Sequence, residues 1–154
     1  MPWSVMRSKF KAIKIISKIH GYIYHISRGR VGKQLGKVAI LLLTTTGRKS
    51  GKKRSVPLTA IPYGSKYILV ASFGGSPVPP AWLINIQQNP AVNIRVGSIV
   101  KQAKASIIKT TDTGYQEMWG KAIALYGGYD NYRRATSRHI PIVVITPHEG
   151  CERF

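Results

Sequence analysis

The densest concentration of chemistry in the sequence is Thr44, Thr45, Thr46, Gly47, Arg48, Lys49, Ser50, Gly51, Lys52, Lys53 and Arg54. Five cations fall within seven residues, among glycines and hydroxyls, between two apolar runs. Glycines let backbone N–H groups approach a ligand, and arginine forks match phosphate or carboxylate oxygens. The stretch is not a Walker loop, because the Gly-Lys-Ser/Thr order and its spacing are absent. A basic hairpin tip exposed to water is the plainer reading of the same residues. A second cluster runs Val70, Ala71, Ser72, Phe73, Gly74, Gly75, then through Pro77, Pro79 and Pro80 to Ala81 and Trp82. A strand that ends in paired glycines can admit a flat ring against its backbone, and a helix start after it adds partial positive charge. The alternative is a loop shaped by Gly and Pro beside a core tryptophan. A third cluster is Tyr126, Tyr129 and Tyr132, whose spacing of three puts them on adjoining positions of one helical face. They could line an apolar pocket while offering hydrogen bonds, or simply be core.

Other chemistries find no support. His20, His25, His139, His148 and Cys151 show no metal-ligand spacing, so no metal site is expected. There are five carboxylates in 154 residues and no Gly-x-Ser-x-Gly elbow. An enzyme of this composition expects a cofactor to bring the reactive atom while the protein binds and orients.

The elements that must position these clusters follow from periodicity. Residues 4–27 read as a basic amphipathic helix: Met6, Phe10, Ile13, Ile16, Ile19 and Ile23 on one side, Arg7, Lys11, Lys14 and Lys18 on the other. It is either a docked helix with a solvated cationic face or one that lies in an anionic membrane interface. Residues 29–36 read as a loop. Strands are expected over 38–45, 55–62, 67–72, 92–96, 100–108 and 140–145, and short helices over 79–88, 113–125 with Thr113 as cap, and 129–137. Hairpin-length links favour an antiparallel sheet closing as a small barrel, an α+β fold. Two parts are expected: an N-terminal helix and loop over 1–36 and a barrel over 37–154.

The net charge is +19, and residues 1–111 hold 19 of the 24 Lys and Arg with no carboxylate before Asp112. Such a surface expects an anionic partner. No apolar run approaches the roughly 20 residues a spanning helix needs, and no secretory signal is evident. A cytoplasmic protein, peripheral on the inner face of the membrane, is the expected location.

Taken together, these blocks resemble the deazaflavin-dependent nitroreductase family. The resemblance rests on Leu43 to Gly51 followed by Arg54, Pro57 and Leu58; on Val70, Ala71, Ser72, Gly74 and Gly75; on Trp82, Leu83, Asn85, Asn89 and Pro90; on the three tyrosines; and on Thr136, Arg138 and Ile140 to Val144. It spans about residues 10–147. It implies a split β-barrel of the flavin-binding type with short helices packed on it, and coenzyme F420 as cofactor, with FMN the second choice. The tail of F420 carries a phosphodiester and an oligoglutamate chain, which Arg48, Lys49, Ser50 and Arg54 are expected to hold. Pro57, Val70, Ala71, Ser72, Phe73, Ala81, Trp82, Leu83, Ile84 and Asn85 are expected along the rest of the cofactor. Thr59, Tyr126, Tyr129 and Tyr132 are expected to face the acceptor, with Ser72 and Tyr129 orienting or protonating it. Phe73 stands where a lysine is expected, with Lys52 or Lys53 the expected substitute, and Thr59 stands where a tyrosine is expected. The implied activity is hydride transfer from reduced F420 to a quinone-like or nitroaromatic acceptor, menaquinone being a candidate. A non-catalytic lipid or cofactor carrier on the same barrel is the alternative. Nucleic-acid binding has only the net charge in its favour, and no specific nucleic acid is expected. The sequence leaves the oligomeric state open.

Overall fold

The structure is a computed structural model that describes residues 34–35 and 38–149, with burial described from Ile40 onward. Strands β1 (Gln34–Leu35), β2 (Val38–Thr46), β3 (Lys53–Thr59), β4 (Ile61–Tyr63) and β5 (Lys66–Val70) come first. A single 3-10 turn (Phe73–Gly75) and helix α1 (Ala81–Gln88) follow. Then come β6 (Ala91–Val96), β7 (Ile99–Ile108), α2 (Tyr115–Leu125), α3 (Gly128–Arg134) and β8 (Ile142–Pro147). Residues 4–27, expected as an amphipathic helix, lie outside the described residues. The expected loop over 29–36 is corrected at its end, because Gln34 and Leu35 pair with Ala39 and Val38.

Every pairing is antiparallel, and the sheet runs β3, β2, β6, β7, β8, β5, β4. The two edge strands β3 and β4 are consecutive in the chain and joined through Ala60 alone. The sheet must therefore curl until its edges meet at that residue, which makes a split barrel. The single strand expected over 55–62 is thus two strands. Pro57 and Pro62 sit on these edges, each with one partner strand, where a missing N–H is tolerated.

The strand alternation sorts side chains into two cores, one on each face of the sheet. Leu41, Leu43, Leu69, Ala71, Val92, Ile94, Ala103, Ala105, Val143 and Ile145 fill one, and Trp82, Leu83 and Ile86 of α1 plug it. Ile61, Ile68, Val70, Ile142 and Val144 face the other way, under α2. Helix α2 presents Tyr115, Met118, Trp119 and Ala122 at i, i+3, i+4 and i+7, the stripe that a 3.6-residue period buries. Tyr115 stacks on Trp119 and donates its hydroxyl to the Ile140 carbonyl at 2.7 Å. Fully burying such a side chain stabilises the fold by about 1.5–3 kcal/mol.

The helix starts differ from expectation for backbone reasons. Pro80 is extended (φ −65°, ψ 145°), so α1 begins at Ala81 and not at Pro79. Thr113 does not cap α2: Gly114 does, in the left-handed region at φ 85°, with no side-chain cap bond. The third helix starts one residue early and stops at Arg134, and the last strand starts at Ile142 because Pro141, opposite Ala71, accepts its N–H but has none to return to the ladder.

Candidate functional site

The basic stretch between β2 and β3 forms a compact turn. The Gly47 N–H donates to the Lys52 carbonyl and the Gly51 N–H to the Gly47 carbonyl, both at 2.8 Å. Gly51 takes φ 69°, and a Cβ on Gly47 would come within 2.9 Å of Ser50 Oγ. The glycines are thus geometric requirements of the turn. Arg48, Lys49, Ser50, Lys52, Lys53 and Arg54 are exposed on it. Among the described residues, the only ion pairs join Asp130 to Arg133 and Arg134. Among the described residues, no carboxylate is ion-paired with the turn.

One residue of α1 ties this turn to the barrel. Asn85, 5% exposed, donates from Nδ2 to Thr45 Oγ1 at 3.0 Å. Its Oδ1 accepts from the Arg48 N–H at 3.2 Å and from Arg48 Nη1 at 3.4 Å. Thr45 continues the inward row of Leu41 and Leu43, and its hydroxyl there is satisfied by Asn85. A cavity of about 340 Å³ opens beside the turn, lined by Thr46, Gly47, Arg48, Gly51, Gln88 and Asn89. Gln88 and Asn89 were not among the expected contacts. Their place at the C-terminal end of α1, one turn beyond Asn85, was the available sign.

The second cluster behaves as a strained wall. After β5 the chain passes Ser72 and enters three residues with positive φ: Phe73 at 46°, Gly74 at 63° and Gly75 at 76°. Positive φ in a phenylalanine is uncommon and strained. Gly75 is pressed on α3, since a Cβ there would lie 2.9 Å from the Tyr132 carbonyl oxygen and 3.0 Å from Ala135 Cβ. Ser72 is buried beside this turn.

The three tyrosines converge although they do not share one helix. Tyr126 lies just after α2, and Tyr129 and Tyr132 belong to α3. Ring centroids are 5.3 Å apart for Tyr126 and Tyr129, 6.1 Å for Tyr126 and Tyr132, and 6.3 Å for Tyr129 and Tyr132. The edge-on geometry of the first and last pairs suits aromatic quadrupoles. The Tyr126 and Tyr132 hydroxyls share a hydrogen bond at 3.2 Å. The chain leaves the helix at the extended Tyr126 (φ −147°, ψ 100°), and Gly128, at the start of α3, leaves room for the Tyr126 ring, since a Cβ there would overlap it.

Thr59, at the end of β3, lies beside the Tyr129 hydroxyl. Burial raises the Tyr129 pKa; the neighbouring Thr59 hydroxyl opposes this and the Tyr126 charge adds to it. Tyr132 is pushed up to about 12, first by its hydrogen bond to Tyr126 and then by burial. Both phenols are therefore neutral donors at physiological pH.

The expected residues thus fall into two groups. Arg48, Lys49, Ser50 and Arg54 gather at the turn, and Thr59, Tyr126, Tyr129 and Tyr132 gather at the tyrosine cluster. Between them, Trp82, Leu83 and Ala71 are core, Ile84 and Pro57 are half-buried, and Ala81 is exposed. Val70 packs in the same cluster as Tyr129. Asn85 has its oxygen and its amide nitrogen engaged within the protein. Phe73 is half-buried at the bend.

Comparison with known proteins places the chain in a family. A sequence profile of the F420H(2)-dependent quinone reductases matches residues 16–147. An F420H(2)-dependent quinone reductase of Mycobacterium tuberculosis is 37% identical over 131 residues, covering 84% of this chain and 88% of the relative. The solved structure of an F420-H2 dependent reductase (FDR-A) superposes with TM-score 0.62 at 38% identity, covering 69% of this chain and 92% of that one. A domain-swapped dimer gives TM-score 0.65 at 31% identity, covering 92% of this chain and 98% of that one. With the split barrel, the basic turn and the tyrosine cluster in place, the chain belongs to the F420H(2)-dependent quinone reductase family, a family of oxidoreductases that use coenzyme F420.

Proposed function

We propose that this chain reduces a hydrophobic, quinone-like acceptor such as menaquinone, with nitroaromatic compounds as a second acceptor class. The observation that carries the reading is the pairing, on one barrel, of a basic turn that has no ion pair among the described residues with a tyrosine cluster in which Tyr129 is buried, Tyr132 half-buried and Tyr126 exposed. When bound, reduced F420 supplies a hydride. The turn suits its anionic tail: Arg48, Lys49, Ser50 and Arg54 would hold phosphate and carboxylate oxygens, with Lys52 and Lys53 close by in sequence to stand in for the lysine that Phe73 replaces. Pro57, the 70–73 wall and residues 81–85 of α1 would border the remainder, Asn85 acting through its hold on Arg48. Ser72 and Tyr129 would orient the acceptor oxygen, and the neutral Tyr129 phenol would donate a hydrogen bond to it. Thr59, Tyr126 and Tyr132 would complete that wall, and the apolar residues around them would exclude water.

The test is oxidation of F420H2 followed by absorbance, with menadione and a nitroimidazole as acceptors. The expected result is quinone-dependent turnover, with kcat/KM falling about tenfold in Ser72→Ala and in Tyr129→Phe, as for one lost transition-state hydrogen bond. Turnover that is the same with and without quinone would refute the reading. Residues 4–27 would bring the barrel to anionic lipid, where such acceptors dissolve. Co-sedimentation with phosphatidylglycerol vesicles, absent with neutral vesicles and after deletion of 1–27, is the expected outcome. Among the described residues, no helix is long and apolar enough to cross a membrane.

A further inference from the structure

We infer that Arg138 is a positioning residue that holds Ser72 in its working place by clamping the strained turn after β5. The inference rests on the role given to Ser72 in the proposed function. Arg138 lies between α3 and β8, far from Ser72 in sequence. Its Nε donates to the Ser76 carbonyl at 2.8 Å, and its Nη2 donates to the Ala71 carbonyl at 3.1 Å and to the Ser72 carbonyl at 2.7 Å. A single guanidinium thereby brackets the segment that contains all three positive-φ residues.

That segment needs an external restraint. Its own bonds are the short ones of a 3-10 turn, from the Gly75 N–H to the Ser72 carbonyl at 3.0 Å and from the Ser76 N–H to the Phe73 carbonyl at 3.1 Å. A left-handed phenylalanine persists only where surrounding structure fixes it. The α3 helix blocks one way out, through the contact of Gly75 with Tyr132 and Ala135. Arg138 holds the carbonyls at both ends. Because α3 also carries Tyr129, the clamp sets the distance between the serine wall and the tyrosine wall.

The arrangement is made for geometry, not for the stability of the arginine itself. Nη1 is buried with no hydrogen-bond partner. Burial also lowers the pKa of the group. An apolar residue would avoid both penalties. Only a planar fork with donors on Nε and Nη2 reaches three carbonyls at once, which a lysine ammonium cannot reproduce.

The test combines a cofactor-free readout with a kinetic cycle. In the apo protein, Arg138→Gln is expected to raise hydrogen exchange at Gly75 and Ser76 by about tenfold or more, with the β2 and β8 amides changed less than about threefold. With F420H2 and menadione, Arg138→Gln is expected to lower kcat/KM about tenfold. In a Ser72→Ala background it should lower it less than about threefold further, because both changes remove the same positioned group. Arg138→Lys should behave like Arg138→Gln, and it replaces that variant throughout if the glutamine form does not fold. Unchanged exchange at Gly75 and Ser76, a uniform rise across the sheet, or fully multiplicative kinetic losses would each overturn the inference. If the wild-type protein turns over no quinone, the proposed function fails by itself, and the exchange result still decides whether Arg138 clamps the turn.

Discussion

Asn85→Ala separates the barrel from its basic turn, and its size can be worked from the bonds it breaks. Thr45 Oγ1 is completely buried, so no water replaces Asn85 when the amide is removed. An orphaned buried hydroxyl costs about 1–3 kcal/mol. The bond from the part-buried Arg48 N–H, at 3.2 Å, is partly replaced by water and adds under about 1 kcal/mol. The total is about 1–4 kcal/mol, measured as a shift of the urea midpoint at constant m. Thr45→Val alone orphans Asn85 Nδ2 and should cost about 1–2 kcal/mol. The double variant orphans neither group, so it should be more stable than the sum of the singles by about 1–2 kcal/mol. F420 affinity, read by fluorescence, should fall about 3–10-fold in Asn85→Ala, because Arg48 loses its anchor. Strict additivity of the two stability losses would refute the reasoning. So would a loss below about 0.5 kcal/mol in Asn85→Ala.

Three further outcomes follow from the same geometry. Gly128→Ala drives a methyl into the Tyr126 ring; it should raise the KM for quinone several-fold while the Kd for F420, measured by titration, stays within about twofold. Tyr132 has a folded-state pKa near 12 against an ordinary value of 10.0. The neutral form is therefore favoured by folding, its contribution is fully present below pH 10, and it is lost as pH rises from about 10 to 12. Discounted for solvent screening, the loss is about 1 kcal/mol, and denaturant titrations across that window should show wild type losing about that much more stability than Tyr132→Phe, which keeps the losses from Tyr115 and Tyr129. Lys49→Ala and Arg54→Ala should each weaken F420 binding about 3–10-fold at low salt, with the differences shrinking above about 0.5 M salt because the turn is exposed; salt-independent losses in a titration series would count against tail binding there.

How far the sequence could be read depends on the range of each interaction. The strand β2 was legible because Val38 to Leu43 is an unbroken apolar run, and the hairpins because Gly64 and Gly97 sit where φ must be positive. The basic turn and the tyrosine trio were legible because each is local. Element ends were less so. The break at Ala60, the late start of α1 and the glycine cap of α2 are set by edge closure and backbone angles, not by hydrophobic period. Long-range pairs were hidden. Thr45 and Asn85 lie 40 residues apart, and the only hint was a hydroxyl in an inward apolar row. Arg138 stood out only as one residue of the Thr136–Val144 block, and its role had no local sign, since its partners are backbone carbonyls 62 to 67 residues away. Thr59 was noticed as an absent tyrosine, whereas its place in the fold sets it beside the Tyr129 hydroxyl.

The most direct measurement is a fluorescence titration of the purified full-length protein with oxidised F420, run beside an identical titration with FMN. Tight, saturable F420 binding that weakens in Arg48→Ala, with FMN at least about a hundredfold weaker, is the expected result. Equal or stronger binding of FMN, or F420 binding that ignores the loss of Arg48, would contradict the assignment of the basic turn as the cofactor-tail site.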